Sequence, residues 1–213
     1  MKVGVLGSGI VAQTLAAGLA KYCHQVVIGS RSPEKLAEFA AKTAGVTAGN
    51  FADAAEFGEL IILAVKGAGA SEALGLEGVT NLADKTVIDT CNPIADGPPV
   101  NGVLQFYTGQ NESLMEALQT EFPETNFVKA FNSVGAPRMV DPKFEGGKPT
   151  MFICGNNAAA KQTVTALLDE FGWETADMGG AESARAIEPL CKLWCILGFT
   201  RNHWTHAFKL LMD

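Results

Sequence analysis

No two of the five cysteines, Cys23, Cys91, Cys154, Cys191 and Cys195, stand in a Cys-x-x-Cys spacing, and their number is odd. That excludes a disulfide framework and a zinc site, and predicts reduced thiols in a cytoplasmic protein. Cys191 and Cys195 lie one helical turn apart in an apolar stretch and read as core thiols. Charge is scarce, at 18% of residues with a net value of −7 and no basic cluster, so neither nucleic acid nor an anionic membrane surface is an expected partner. The apolar run after Lys2 resembles a signal segment only until Gly4, Gly7 and Gly9 are noticed. Nowhere do 18 apolar residues follow one another, so no membrane-spanning helix is expected. Missing too are a Gly-x-Ser-x-Gly elbow, metal-ligand clusters and the Tyr-x-x-x-Lys pair of many carbonyl reductases, the only tyrosines being Tyr22 and Tyr107. His24, His203 and His206 show no evident partner, the last two being spaced as on a helix surface.

What is present begins at the N-terminus. Lys2-Val3-Gly4-Val5-Leu6 is an apolar strand that runs into Gly7-Ser8-Gly9-Ile10-Val11-Ala12 and then an amphipathic helix, Ile10 to Lys21. This is the glycine turn of a dinucleotide site. Gly7 permits the tight turn, Gly9 removes a side chain where backbone approaches a pyrophosphate, and Ala12 lets helix and sheet pack closely. The phosphates would sit on the helix's free N–H groups. About 20 residues beyond the glycines an NAD site would carry a carboxylate. This chain has Gly29-Ser30-Arg31-Ser32 there, two hydroxyls and a guanidinium, which suit a 2′-phosphate and so predict NADP. Ser32-Pro33-Glu34 also reads as a helix start, with Ser32 as N-cap, but that leaves Arg31 unexplained.

Further strands are expected at Val26–Ile28, Val46–Ala48, Leu60–Val65, Thr86–Asp89, Asn126–Ala130, Met151–Cys154 and Trp173–Ala176. Most are continuous apolar runs, as a parallel sheet covered on both faces requires. The expected fold is α/β: a doubly wound, mostly parallel Rossmann sheet of about eight strands. Residues 1–180 would form the NADP-binding domain and residues 181–213 a helical extension packed on it. Ligands of such sheets bind beyond the carboxyl ends of the strands, so the post-strand segments should converge. Those segments contain Val65 with Lys66 to Gly69, Asn92 with Pro93, and Asn132, Ser133 and Val134. Their small polar groups suit a flat ring held by a few directed hydrogen bonds. Asn92, Asn132 and Ser133 are read as positioning residues, and no side chain is assigned as an essential acid or base. Hydride transfer between two rings demands mainly alignment.

The segments GSGIVAQTLAAGLA, VVIGSRSPEKL, LIILAV, VIDTCNPI, VKAFNSVGA, MFICGNNAAAKQTVTALLDEFGWETADMGG and ARAIEPL together resemble the coenzyme F420-dependent NADP oxidoreductase family over nearly the whole chain. They are similar as well to the cytoplasmic reductase domain of the six-transmembrane epithelial antigen metalloreductases. The resemblance implies a pyrophosphate at Gly7, Ser8, Gly9, Ile10 and Val11, a 2′-phosphate at Ser30, Arg31 and Ser32, and a cofactor cleft lined by Asn92, Pro93, Asn132, Ser133 and Val134. It implies hydride exchange with coenzyme F420 or a flavin (FMN or FAD), and leaves both open. The sequence runs only to Asp213, without the transmembrane haem part of the metalloreductases, so direct metal reduction is not expected. Two alternatives stay in view: reduction of a small carbonyl or imine, and a non-catalytic NADP(H) sensor. The apolar segment Leu190 to Phe199 suggests a homodimer face or docking onto the chain's own sheet.

Overall fold

The computed structural model describes residues 1–76 and 82–212; Asp213, the end of the expected extension, lies outside the described residues. Among the described residues six strands form one parallel sheet: β1 (Lys2–Leu6), β2 (Gln25–Gly29), β3 (Val46–Gly49), β4 (Leu60–Leu63), β5 (Thr86–Asp89) and β6 (Asn126–Lys129). Their order, β3-β2-β1-β4-β5-β6, reverses direction between β1 and β4. The expected doubly wound class is therefore the observed one. Among the described residues eight α-helices accompany them: α1 (Ile10–Lys21), α2 (Ala37–Lys42), α3 (Phe51–Phe57), α4 (Ala70–Gly75), α5 (Leu114–Glu121), α6 (Ala158–Glu170), α7 (Ala184–Ile187) and α8 (Pro189–Arg201).

Both sheet faces are buried, and the strand pleat decides which residue serves which face. Leu60, Ile62, Ile88 and Val128 join a cluster with Leu15, Leu19 and Val164 from α1 and α6. Their strand neighbours Ile61, Leu63, Val87 and Phe127 join Ala54, Leu74 and Leu118 from α3, α4 and α5 on the opposite face. Each fully buried Leu or Ile contributes about 1.5–3 kcal/mol, so this two-sided burial is the main stabilising term.

Two expectations are corrected. The sheet is not one continuous array of about eight strands: β7 (Thr150–Ile153) and β8 (Glu174–Asp177) form a separate parallel pair joined by α6. Only an isolated antiparallel bridge, Lys129 to Cys154, ties that pair to β6. At Gly155 the chain crosses so close over β6 that a Cβ would stand 2.5 Å from the Phe127 carbonyl oxygen, a crossing rather than a side-by-side ladder. Apolar periodicity reports that a strand is buried, not which edge it meets. Second, the expected helical character to Met212 ends at Arg201, where Asn202 adopts a left-handed conformation with φ 50°. Residues 202–212 run back as a non-helical strap, and His203 and His206 lie in it rather than on a helix. Thr150 donates its N–H to the Phe208 carbonyl at 2.9 Å, so the strap lies along β7.

Aromatic packing holds the strap. Trp194 of α8 lies 4.8 Å from the His206 ring and 5.7 Å from the Trp204 ring, centroid to centroid. Trp194 Nε1 donates to the His206 carbonyl at 2.8 Å, and the His206 ring Nε2 lies 3.0 Å from the Trp194 carbonyl oxygen. Facing a carbonyl, Nε2 carries the hydrogen, which leaves Nδ1 bare, and it is buried without a partner. Burial holds the His206 pKa below its ordinary 6.5. The unfolded chain thus binds a proton that the folded one resists, and stability falls as pH drops through about 6.5. The urea midpoint is expected to fall between pH 7.5 and pH 5 by more in the wild type than in His206→Gln; equal falls would show that His206 contributes nothing to the acid sensitivity.

Candidate functional site

The glycine turn sits where the strand order reverses. Gly7 has φ +144°, and a Cβ there would stand 2.2 Å from the Ala64 carbonyl oxygen, so both conformation and space exclude a side chain. Gly9 differs: φ is −76°, and an added Cβ would meet no protein atom within 4 Å. Neither the backbone nor packing demands glycine at this position, which leaves an occupant of the open space as the constraint. α3, α5 and α6 have side-chain N-caps from Asn50, Ser113 and Asn157, whereas the first turn of α1 has neither a cap nor an acidic residue. Its free N–H groups suit an anion.

Two cavities flank this turn. One, of about 550 Å³, is lined by Gly7, Ser8, Gly9, Ser30, Arg31 and Ser32 together with Lys35 and Glu72. The other, of about 510 Å³, is lined by Gly9, Ile10, Val11, Thr90, Cys91, Asn92 and Ile94. Gly9, Ala64, Val65, Lys66 and Ala68 border both, so the two make one groove across the carboxyl ends of β2, β1, β4 and β5. Ser30 Oγ accepts the Ser32 N–H at 3.1 Å and shapes the turn after β2. Ser32 precedes a single 3₁₀ turn, Pro33–Leu36, without capping it through its side chain, so its hydroxyl is not committed to a helix start. Arg31 is largely exposed and only loosely held, 3.4 Å from Glu72.

At the other end the expected ring-binding residues separate into a lining residue and a layer behind it. Asn92 borders the cavity, while Pro93, Asn132, Ser133 and Val134 do not and are buried. The two asparagines are locked together: Asn92 Nδ2 donates to the Asn132 carbonyl at 2.8 Å, and Asn132 Nδ2 donates to Asn92 Oδ1 at 3.2 Å and to the Ile187 carbonyl at 3.0 Å. With its amide hydrogens so committed, Asn132 Oδ1 is left buried and without a partner. The open glycine and the uncapped helix fit the pyrophosphate of a dinucleotide.

Behind the asparagines lies a cluster that the sequence reading missed. Lys129, fully buried at the end of β6, places Nζ 2.6 Å from Asp89 Oδ2, 2.8 Å from Glu188 Oε1 and 2.9 Å from the Cys91 carbonyl oxygen. The Cys91 carbonyl accepts a hydrogen bond from the ammonium, the two carboxylates are ion-pair contacts, and Asp89 Oδ2 is left without a hydrogen bond of its own. Glu188 also accepts the Leu114 and Met115 N–H groups at the start of α5, both at 3.0 Å, and Asp89 Oδ1 accepts the Cys91 N–H at 2.8 Å. Burial alone would push the Lys129 pKa down, but Asp89 and Glu188 outweigh it and hold it above the ordinary value. Burial pushes the Cys91 thiol well up, so it stays protonated and inert. The available signal was a lysine ending an otherwise apolar strand, Phe127-Val128-Lys129. His24, expected to be unpartnered, pairs with Glu170 at 2.7 Å. Among the described residues no group of three His, Cys, Asp or Glu is placed to hold a metal.

This strand order with a glycine turn at its reversal point defines a dinucleotide-binding scaffold. Residues 2–93 match the family described as NADP oxidoreductase, coenzyme F420-dependent. A candidate F420-dependent NADP reductase from Arthrobacter sp. FB24 is 35% identical, with a TM-score of 0.92 and complete coverage of both chains. The rat metalloreductase STEAP3 is 33% identical over 189 residues, which are 89% of this chain and 36% of that protein. The chain thus spans about a third of the length of the curated relatives it matches. An imine reductase from Myxococcus stipitatus solved with NADP⁺ shares the fold at 15% identity, with a TM-score of 0.69 and coverage of 94% of this chain and 63% of that one. The chain belongs to the F420-dependent NADP oxidoreductase family. As a member it is an NADP-dependent oxidoreductase, and among its described residues no helix is long and apolar enough to cross a membrane.

Replacing Lys129 by Met would leave two buried carboxylates facing each other, which typically costs about 3–5 kcal/mol. The urea midpoint of Lys129→Met is expected to collapse accordingly; a shift worth under about 1 kcal/mol would show that water reaches the cluster.

Proposed function

We propose that the chain passes a hydride between NADP(H), held in the groove at the β1–β4 switch point, and a planar deazaflavin or flavin partner presented at the Asn92 end. The observation that carries this reading is the groove itself, with anion-binding backbone at its centre, cations at one end and a pair of locked asparagines at the other. Gly7, Ser8, Gly9, Ile10 and Val11 cradle the pyrophosphate, with Val65 alongside. Ser30, Arg31 and Ser32 take the 2′-phosphate, aided by Lys35, whose position in the groove supports the role. Asn92 orients the nicotinamide from the cavity wall, and Asn132, Ser133, Val134 and Pro93 hold Asn92 and its loop from behind. NADPH supplies the hydride; the side chains supply alignment, and none acts as an essential acid or base. Residues 1–180 act as the NADP-binding unit, and residues 181–213 close its ring end through Ile187 and Glu188.

A second reading, reduction of a small carbonyl or imine, needs a proton donor, and Lys66 is the ammonium that borders both cavities. An NADPH oxidation assay across flavins, a deazaflavin and small carbonyls tests both. Turnover with planar rings that survives Lys66→Met supports the first reading, and carbonyl turnover abolished by that variant supports the second. Binding of NADP⁺ and NADPH with no turnover under any acceptor would instead make the chain a sensor. We further propose that the exposed Leu193 and Phe199 on the outer face of α8 pair two copies, which a monomer in light scattering would overturn.

Loss of one charge-assisted phosphate contact typically costs about 1.5–3 kcal/mol. Arg31→Ala is therefore expected to bind NADP roughly 10- to 100-fold more weakly and NAD nearly unchanged, as read by titration with both cofactors. An equal loss for both would remove Arg31 from the 2′-phosphate site.

A further inference from the structure

We infer that the buried Asp89–Lys129–Glu188 cluster sets the preference between the two redox forms of the nucleotide, favouring the oxidised ring through the net negative charge of its three members. The inference rests on the proposed placement of the nicotinamide at the Asn92 end. Its foundation is the charge count of a fully buried site. Asp89 and Glu188 meet only donors: the Lys129 ammonium and the N–H groups of Cys91, Leu114 and Met115. Both lie within ion-pair distance of that ammonium, Asp89 Oδ2 at 2.6 Å and Glu188 Oε1 at 2.8 Å. Two carboxylates against one ammonium leave a single negative charge. The start of α5 offsets about half a charge at Glu188, so the sign survives.

The cluster lies directly behind the groove wall. Cys91, whose carbonyl accepts from Lys129, borders the cavity, and so does its neighbour Asn92. The cavity's own charged residues, Lys66 and Asp96, are of opposite sign and offset each other. Water does not screen the interior charge, since Asp89 and Lys129 have no exposed surface and Glu188 almost none. The nicotinamide ring is cationic when oxidised and neutral when reduced, so a fixed negative charge within reach attracts only the oxidised form. A unit charge within about 10 Å, through an effective dielectric near 20, changes the ratio of the two affinities roughly tenfold. The same preference makes the bound reduced nucleotide a stronger hydride donor.

Glu188→Gln and Asp89→Asn each remove the excess charge with little change of shape, and making both guards against one failing to fold. NADP⁺ and NADPH are titrated separately, without an acceptor, by calorimetry on the wild type and on each variant shown to be folded by its urea midpoint. The dissociation constant of NADP⁺ relative to that of NADPH is expected to rise by roughly tenfold in each folded variant. Merely structural loosening would weaken both forms alike, and an unmoved ratio in a folded variant overturns the inference. The wild type provides a readout that needs no variant: it is expected to bind NADP⁺ at least as tightly as NADPH, and a clear preference for NADPH counts against the cluster. A wild type that binds neither form overturns the proposed NADP site itself, whereas normal binding with an unmoved ratio overturns only the electrostatic role.

Discussion

A single buried ammonium joins parts of the chain that are far apart in sequence. Lys129 ends β6 and contacts Asp89 at the end of β5, the Cys91 carbonyl in the loop that follows, and Glu188 at the junction of α7 and α8. Glu188 extends the connection to the first turn of α5. A buried ion cluster adds little net stability compared with packed apolar residues, because desolvation consumes most of the Coulomb gain. Its value here lies in direction. Apolar contacts would let β5, β6, α5 and the C-terminal helices slide by fractions of an ångström, whereas three short ammonium contacts allow one arrangement. The Asn92–Asn132 pair inherits that arrangement through Cys91 on one side and Ile187 on the other.

The first half of the fold was readable because its signals are local. A strand, a turn that only glycine can make at Gly7, and a helix of matching period occupy adjacent residues, and Arg31 stands at a fixed chain distance from them. The right-handed βαβ crossover then leaves few strand orders open. The second half depends on contacts that are remote in sequence. β7 is as apolar as β6, so nothing in its pattern announces that it meets β6 at one bridge only. Residues after Arg201 retain apolar and aromatic character, yet they pack as a strap on Trp194 rather than as another helical turn. The helix period counts burial without saying which partner supplies it.

The ring-end site divides in the same way. Asn92 and Asn132 stood out as small polar residues after strands, but the depth of Asn132 behind Asn92 is a tertiary fact. The cluster escaped because each member looked ordinary alone: Asp89 and Lys129 as polar strand ends, Glu188 as a helix-start acid before Pro189. Full burial of all three is what changes their meaning, and burial of a charge is visible only when its partners are known.

The two ends of the groove are built on opposite principles. Arg31 at one end is largely exposed, held by one long contact to Glu72 and free to reorient around a phosphate. Discrimination there needs a charge of the right sign, and an exposed guanidinium supplies that while adapting its geometry. At the other end the wall itself is fixed: Asn92 is bonded to Asn132, Asn132 to Ile187, and the layer beneath is ionic and dry. Hydride transfer is sensitive to sub-ångström placement, so a fixed wall serves alignment where a flexible one would lose it. α8 and the strap reinforce that wall from outside, since a Cβ on Gly135, which closes the Asn132 loop, would stand 2.9 Å from the Trp194 indole and 3.3 Å from the Trp204 carbonyl oxygen. Nucleotide recognition and ring placement are thereby assigned to separate structures, and a change at Arg31 can alter which nucleotide binds without disturbing how the ring is aimed.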